Sequence, residues 1–266
     1  PYLNAERVRA LAMALRDGDF DTFMGMMTHD EPAAVRQAAF EGAVQVVRGI
    51  MMRSRYASRE AQYAQLGEVM RAALNTGDAG LISAAAEALT SEEPDVLRII
   101  LDTTTQEKAL SALLPIRDLE ARMLLEQVIA KRDDLPAPTP QRTAFNHPID
   151  KARLLALKQG QQYRITTNKG VIIIATDVNE CPGSSLAFDS LVTSGYYNGK
   201  AFHRVVPNFV AQGGCPRGDG YGGMPWTLRT EIGRTPFTAG SVGLASAGPD
   251  TESCQFFITH SAAPHL

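Results

Sequence analysis

The chain has 266 residues, of which 44% are hydrophobic and 21% are charged. This length suits one large domain or two, and the composition is that of a globular protein with a sizeable core, which excludes wholesale disorder. No run of about 18 apolar residues occurs, so no membrane span is predicted. The formal net charge is −3, and residues 1–134 hold 15 Lys and Arg against 21 Asp and Glu. Neither half has the dense basic stripe that a phosphate backbone needs, so no nucleic-acid partner is expected.

Amphipathic helices are predicted over the first 130 residues. Apolar side chains recur at the i, i+3, i+4, i+7 spacing of one helical face. The pattern occurs over residues 8–15, 35–46, 66–73, 81–88 and 121–128. Such helices must pack against one another, because a single amphipathic face cannot be buried alone.

A weak internal repeat indicates how these helices are arranged. Val35-Arg-Gln-Ala-Ala39 resembles Ile82-Ser-Ala-Ala-Ala86, 47 residues further along. A period of about 40–47 residues is typical of HEAT-type helical hairpins. We therefore predict a HEAT-like helical repeat region over residues 1–132, and an ordinary helical bundle remains the alternative.

The chain changes character after residue 132. Residues 133–148 contain four prolines, which predicts an extended linker, with one short helix over Asp150–Leu157. From Tyr163 the pattern indicates two strands around a turn at Asn168-Lys169-Gly170, and then a helix over Pro182–Ser194. The glycine-rich remainder is typical of a small antiparallel barrel. The predicted domains are a helical region at 1–132, a linker with a short helix at 133–158, and a β domain at 159–266.

Several motifs of enzyme chemistry are incomplete in this sequence. Gly218, Gly220 and Gly223 satisfy the GxGxxG spacing of dinucleotide sites, but Met224-Pro225 follows and no helix is predicted there. No paired-histidine spacing and no CxxC occur, so neither a metal nor a cofactor is expected. The three cysteines, Cys181, Cys215 and Cys254, imply no disulfide framework, and we interpret Cys215 and Cys254 as buried, unreactive thiols.

Two segments combine aromatic residues with a single arginine and a glutamine. They read FHRVVPNFVAQGG over 202–214 and SCQFFIT over 253–259. Strand alternation predicts that Phe202 and Arg204 share one face. The combination suits a shallow apolar pocket with a few directed hydrogen-bond donors. Core aromatics with a surface arginine explain the same spacing equally well.

A resemblance of these two segments to a known family favours the pocket over core aromatics with a surface arginine. FHRVVPNFVAQGG, followed by AGPDTESCQFFITHS, resembles the cyclophilin family of peptidyl-prolyl cis-trans isomerases, and the similarity runs from about Tyr163 to Leu266. The resemblance implies an eight-stranded antiparallel barrel capped by helices. It also implies catalysis of Xaa-Pro isomerisation in proline-containing polypeptide clients, in support of protein folding.

The resemblance also implies roles for individual residues. Arg204 matches the catalytic arginine, and Gln212 matches the glutamine that holds a substrate carbonyl. The walls of the proline pocket are matched by Phe209, Val210, Phe257 and Leu266. Ala245, Ser246 and Ala247 match the segment that pairs with the substrate backbone. His203, Gln255 and His265 complete the groove.

The sequence departs from the best-known members at several of these positions. Val210 replaces a methionine, Ser246 an asparagine and Cys215 an aspartate, and His265 stands at the tryptophan associated with cyclosporin binding. Further strands of the family would follow the point that matches Leu266. Since the chain also begins at Pro1 rather than Met, we expect it to be a segment of a longer protein.

Two functions follow as hypotheses. The first is a prolyl isomerase whose helical region presents or recruits client proteins. The alternative is a non-catalytic scaffold or chaperone that grips proline-containing peptides in the same groove and binds partners on its helices. A cytoplasmic and a periplasmic location are both compatible with the sequence.

Overall fold

A computed structural model describes residues 2–14, 20–53, 58–139 and 149–266. This part of the chain divides into two compact units, and each is described by itself. The first unit comprises Pro1–Gln141 with Asp219–Gly222, and the second comprises Arg142–Gly218 with Gly223–Leu266. A helical region is thus followed by a domain built on antiparallel sheets.

The first unit contains the predicted succession of helices. Their bounds are Tyr2–Ala14 (α1), Phe20–Thr28 (α2), Ala33–Arg53 (α3), Arg59–Asn75 (α4), Ala79–Leu89 (α5), Pro94–Ile100 (α6), Thr103–Ala112 (α7) and Leu119–Arg132 (α8). The four apolar faces predicted between residues 35 and 128 lie in or against one buried core, which confirms the helical periodicity. Of the first predicted face, Val8 is buried in this core, and residue 15 lies outside the described residues.

Short polar side chains fix where several helices begin. An oxygen of the N-cap residue accepts a hydrogen bond from the backbone N–H three positions later, which satisfies a donor that the helix itself leaves unpaired. These bonds join Ser58 to Ala61 N (3.2 Å), Asp78 to Leu81 N (3.1 Å) and Asp102 to Thr105 N (2.8 Å).

Basic side chains donate hydrogen bonds to the C-terminal ends of several of these helices. Six of them, within the described residues, donate to carbonyls in the last turn or at the C-cap of a neighbouring helix, where an α-helix leaves backbone acceptors without a full set of intrahelical partners. The pairs are Arg36 with Met27 O, Arg48 with Ala88 O, Arg71 with Ile100 O, Arg122 with Leu110 O, Lys131 with Thr90 O and Arg132 with Leu101 O, at 2.8–3.3 Å. The charged residues of this unit therefore stabilise the contacts between its helices.

In the second unit, the described residues form two antiparallel sheets and two helices. Its elements are Lys151–Ala156 (α9), Gln162–Thr167 (β1), Gly170–Ala175 (β2), Pro182–Thr193 (α10), Phe202–Val206 (β3), Val210–Gly213 (β4), Val242–Leu244 (β5) and Phe256–Thr259 (β6). Strands β1 and β2 form a hairpin, and the other four lie in the order β3-β4-β6-β5. The predicted hairpin and the predicted helix α10 are confirmed.

A small aromatic and aliphatic core lies beneath the four-stranded sheet. Its buried centre is formed by Ile174 of β2, Phe188 of α10 and Phe256 of β6. Asp189 of α10 accepts hydrogen bonds from Tyr163 Oη (3.0 Å) and Arg153 Nη2 (2.6 Å), which joins α10 to β1 and α9. Burial, together with this hydrogen bond, raises the pKa of Tyr163 to about 12. Both sheets and α10 thus contribute to one core.

The pairing of β3 with β4 corrects one prediction from alternation. A β-bulge at His203 shifts the register, so that Phe202 pairs with Gly213 whereas Arg204 pairs with the preceding residue, Gln212. The extra residue turns Phe202 and Arg204 to opposite faces. Phe202 packs against Phe256 in the core, with ring centroids 5.9 Å apart. The expectation that Phe202 and Arg204 share a face is therefore wrong.

The long connection from β4 to β5 contains neither helix nor strand over residues 214–241. Gly218 and Gly220 have positive φ values there, as expected of turns. The GxGxxG spacing thus precedes no helix and is not part of a dinucleotide fold. Within the described residues, no helix is both long enough and apolar enough to cross a membrane.

Candidate active site

The register of the four-stranded sheet places four residues side by side across its strands. Arg204 of β3 is opposite Gln212 of β4, Gln212 is opposite Phe257 of β6, and Phe257 is opposite Gly243 of β5. Residues directly opposite one another in antiparallel strands point to the same face. We call Arg204, Gln212, Phe257 and Gly243 the site row. Its face is opposite the one that carries Phe256.

Hydrogen bonds orient the polar half of the site row. Arg204 Nη1 lies 3.5 Å from Gln212 Oε1, and Gln212 Nε2 donates to Gln255 Oε1 at 3.0 Å. The Gln212 carboxamide is therefore held from both sides. The Arg204 side chain is exposed, but its guanidinium is drawn along the sheet toward Gln212 and hence toward Phe257.

Aromatic rings form the apolar part of the site. Phe257 is half-buried and packs against Phe237 with ring centroids 5.3 Å apart. Phe209 stacks on the imidazole of His265, with centroids 5.5 Å apart and planes 19° from parallel. Leu266 is 49% exposed.

Val210 lies on the same face as Gln212, two residues before it on β4, and is buried.

The segment proposed to pair with a substrate backbone follows the edge strand β5. Ala245 continues the pairing with β6 by donating from its N–H to Gln255 O at 2.9 Å. Ser246 and Ala247 are exposed, and Ala247 N donates to Thr251 Oγ1 at 2.8 Å. Ser246 thus lies just beyond the edge strand β5, between two residues whose N–H groups donate within the chain.

His203 occupies the bulge beside Arg204 and is half-buried. Sequence reasoning missed two residues of this region, Phe237 and Gly243. Gly243 joins the site row only through its pairing with Phe257, which no sequence spacing indicates. Phe237 stands in an irregular segment, and no spacing relates it to Phe257.

The cysteines take no part in the site row. Cys215 and Cys254 are buried, as predicted from the sequence, and Cys181 is half-buried. Burial raises the pKa of the Cys254 thiol, and the Tyr196 hydroxyl lies 3.1 Å from its Sγ. A thiol held in its protonated form is a poor nucleophile. Among the described residues, no three His, Cys, Asp or Glu side chains are grouped to hold a metal ion.

Comparison with known proteins assigns this unit to a family. Residues 162–266 match the family model for the cyclophilin type peptidyl-prolyl cis-trans isomerase/CLD. The chain is 42% identical over 102 residues to a peptidyl-prolyl cis-trans isomerase of Synechococcus elongatus, and the match covers 38% of this chain and 70% of that protein. The chain belongs to the cyclophilin-type peptidyl-prolyl cis-trans isomerases.

Further relatives show how much of a cyclophilin is present. Peptidyl-prolyl cis-trans isomerase B of Bacillus subtilis is 48% identical over 87 residues, and the match covers 32% of this chain and 61% of the relative. A crystal structure of a Cryptosporidium parvum cyclophilin type isomerase, determined in the presence of the dipeptide Ala-Pro, is 36% identical. That similarity covers 40% of this chain and 72% of the other, with a TM-score of 0.39. The chain thus spans 61–70% of these two curated relatives.

Proposed function

We propose that the chain catalyses cis-trans isomerisation of Xaa-Pro bonds in polypeptide clients. The observation that carries the proposal is the site row, in which a guanidinium, a carboxamide and an aromatic ring lie side by side on one face of a sheet. Membership of the cyclophilin family supports this reading of the row. In support of protein folding, the clients would be unfolded or partly folded chains.

To catalyse this reaction, the protein must lower the barrier to rotation about the Xaa-Pro bond. It does not have to shift the equilibrium between the cis and trans forms. Amide resonance opposes rotation about the C–N bond with a barrier of about 20 kcal/mol. The cis and trans forms of an Xaa-Pro bond differ by only about 0.5–1 kcal/mol. In the twisted transition state resonance is lost, and the prolyl nitrogen becomes pyramidal and basic. A donor near that nitrogen binds the twisted state better than the planar one, which accelerates rotation without a covalent step.

Arg204 is suited to supply that donor, because a guanidinium stays protonated at any working pH. Phe209, Val210, Phe257 and Leu266 would hold the pyrrolidine ring in contact with apolar surface, where a directed donor acts more strongly. Gln212 would anchor one carbonyl that flanks the proline. In the segment Ala245–Ala247 the N–H of Ser246 would anchor another, because Ala245 N and Ala247 N donate within the chain. His203, Gln255 and His265 would line the groove.

The exposure of Arg204 favours a second candidate function. In water the attraction between a guanidinium and a developing lone pair is weak, since the dielectric constant is high. A site whose arginine stayed in water would bind proline-containing peptides without accelerating rotation. The chain would then act as a scaffold or chaperone, so the two functions differ in whether the bound peptide buries this side chain.

Steady-state kinetics of the 266-residue chain with a proline tetrapeptide test the proposal. We expect Arg204→Ala to lower kcat/KM by about 100-fold, which corresponds to about 3 kcal/mol of transition-state stabilisation. Arg164→Ala is the matched control, because Arg164 is exposed on β1, outside the site row, and we expect no change. An active chain that is unaffected by Arg204→Ala would overturn the assignment, and peptide binding without acceleration would support the scaffold.

We further propose how the chain is divided into domains and how each domain is built. Residues 1–132 would be HEAT-like hairpins that present or recruit clients, 133–158 the connecting segment, and 159–266 the isomerase domain. The repeat reading is supported by Arg36 of α3, whose Nη1 pairs with Oδ2 of Asp78, the N-cap of α5, at 3.0 Å. A barrel would bring both sheets around one core, and their shared packing on Phe188 supports it.

A further inference from the structure

Phe237 shares the apolar end of the site row, although it lies outside every strand. Its ring is tilted 44° to that of Phe257, at a centroid distance of 5.3 Å. The tips of both rings converge over Gly243. A Cβ added to Gly243 would lie 2.6 Å from Phe257 Cζ and 2.9 Å from Phe237 Cε1, closer than real Cβ contacts come. The glycine therefore leaves the space that the two rings fill.

The backbone of Phe237 also holds the turn that carries His265 and Leu266. Its carbonyl accepts a hydrogen bond from Ala263 N at 2.9 Å, and Ala263 O accepts one from Leu266 N at 3.1 Å. These two bonds fix the turn that carries His265 and Leu266. One residue thus supports Phe257 with its ring and the turn before Leu266 with its carbonyl.

Two carboxylates join the segment before Phe237 to the N-terminal end of α10. Glu231 accepts hydrogen bonds from Gly183 N and Ser184 N, both at 2.8 Å. Glu180 accepts one from Arg234 N at 2.7 Å. The backbone that carries Phe237 is therefore held on this side by α10 and on the other by Ala263.

We propose that Phe237 is a specificity-determining residue that sets the depth of the pocket for the cyclic side chain. The inference rests on the proposed isomerase function and names the feature that limits its substrates. Along the site row, Arg204 and Gln212 lie on one side of Phe257. The ring of Phe237, over Gly243, lies on the other side. A pyrrolidine ring lying on Phe257 would meet Phe237 at its far edge. A six-membered piperidine ring, as in pipecolic acid, has one more methylene to place there.

The test compares kcat/KM of the 266-residue chain for a prolyl tetrapeptide and for its pipecolyl analogue. One methylene in an apolar pocket changes discrimination by about 10–200-fold. We expect Phe237→Leu to shift the ratio toward the pipecolyl peptide by about 10-fold. Phe202→Leu is the matched control, because that ring packs on Phe256 at the core face, and it should leave the ratio unchanged.

A second substitution tests the geometry itself. Gly243→Ala should reduce kcat/KM for the prolyl peptide in the unmodified background. In the Phe237→Leu background it should have a smaller effect, because the leucine vacates part of the space that the new methyl group needs. If Phe237→Leu does not fold, Phe237→Met replaces it, because methionine is flexible and apolar. The same ratio of kcat/KM values for the two peptides is then measured.

The outcomes separate this inference from the proposed function. If the unmodified chain does not accelerate prolyl isomerisation, the proposed function fails and the inference fails with it. If the chain is active and a folded Phe237 variant keeps the original ratio, the inference alone is overturned.

Discussion

Both units of the chain place a phenylalanine ring over a glycine, but the two pairs serve different ends. In the helical unit the ring of Phe23 covers Gly42, where an added Cβ would lie 2.8 Å from Phe23 Cε1, and Phe23 is 0% exposed. In the sheet unit Gly243 lies under two rings, and one of them, Phe257, is only half-buried. Close packing stabilises the fold in the first case and shapes an accessible surface in the second.

Polar side chains show the same division. In the helical unit, basic side chains donate to backbone carbonyls of neighbouring helices, as Arg71 does to Ile100 O. On the site face of the sheet, Arg204, Gln212 and Gln255 bond to one another instead. A side chain that satisfies the backbone has a structural role. A row of mutually bonded polar side chains on an accessible face has donors to offer to a ligand.

The largest effect should come from the buried ring of the helical unit. We expect Phe23→Ala to lower the free energy of unfolding of that unit by about 3–5 kcal/mol, because it removes a fully buried aromatic side chain and leaves a cavity. Thermal unfolding followed by circular dichroism measures this loss. At a temperature where the variant is folded, kcat/KM for a prolyl peptide should not change. A parallel loss of activity would contradict the separation of roles.

The two glycines provide a matched pair of substitutions. We expect Gly42→Ala to destabilise the helical unit by about 1–2 kcal/mol, since the buried Phe23 cannot move aside, although alanine favours the helix. Gly243→Ala should cost less stability, because the half-buried Phe257 can shift, and should instead raise KM several-fold. Unfolding and kinetics of both variants measure these effects. Equal losses of stability would remove the distinction between the two ring–glycine pairs.

The smallest effect concerns a helix cap. Hydrogen bonds from Thr105 hold the pKa of Asp102 below its ordinary value of 3.8. A lowered pKa in the folded state stabilises the fold above the ordinary value, and this contribution is lost as the pH falls through the lower, folded-state value.

Asp102→Asn, which keeps the cap but not the charge, should therefore destabilise at pH 7 by less than about 1 kcal/mol. The difference from the parent chain should shrink as the pH falls below about 4. Denaturant unfolding of both chains at pH 7 and at a pH below about 4 measures this difference. A difference that does not depend on pH would contradict the lowered pKa of Asp102 as its cause.

The elements with strong local signals were predictable from the sequence. The faces of α3, α4 and α5 follow helical spacing, and the N-caps Ser58 and Asp78 mark the starts of α4 and α5. The hairpin of β1 and β2 was predictable from its central turn. In these elements the local preference of the chain and its packing agree, so a local pattern suffices.

The relations between distant strands were not predictable from spacing. The bulge at His203 depends on pairing with β4, and strict alternation therefore placed Phe202 and Arg204 on one face. The contact of Phe237 with Phe257 joins residues 20 positions apart, and Phe237 lies outside every strand. The proposed roles of Arg204 and Gln212 came from family resemblance, and the strand register adds their adjacency.

Exchange NMR on a proline-containing tetrapeptide, with the 266-residue chain at a small fraction of the peptide concentration, tests the central claim most directly. The account predicts cis–trans exchange cross-peaks that depend on the chain and nearly vanish with Arg204→Ala, while the peptide still binds. Chemical-shift changes that report binding to the unmodified chain, without any exchange between the cis and trans signals, would contradict it.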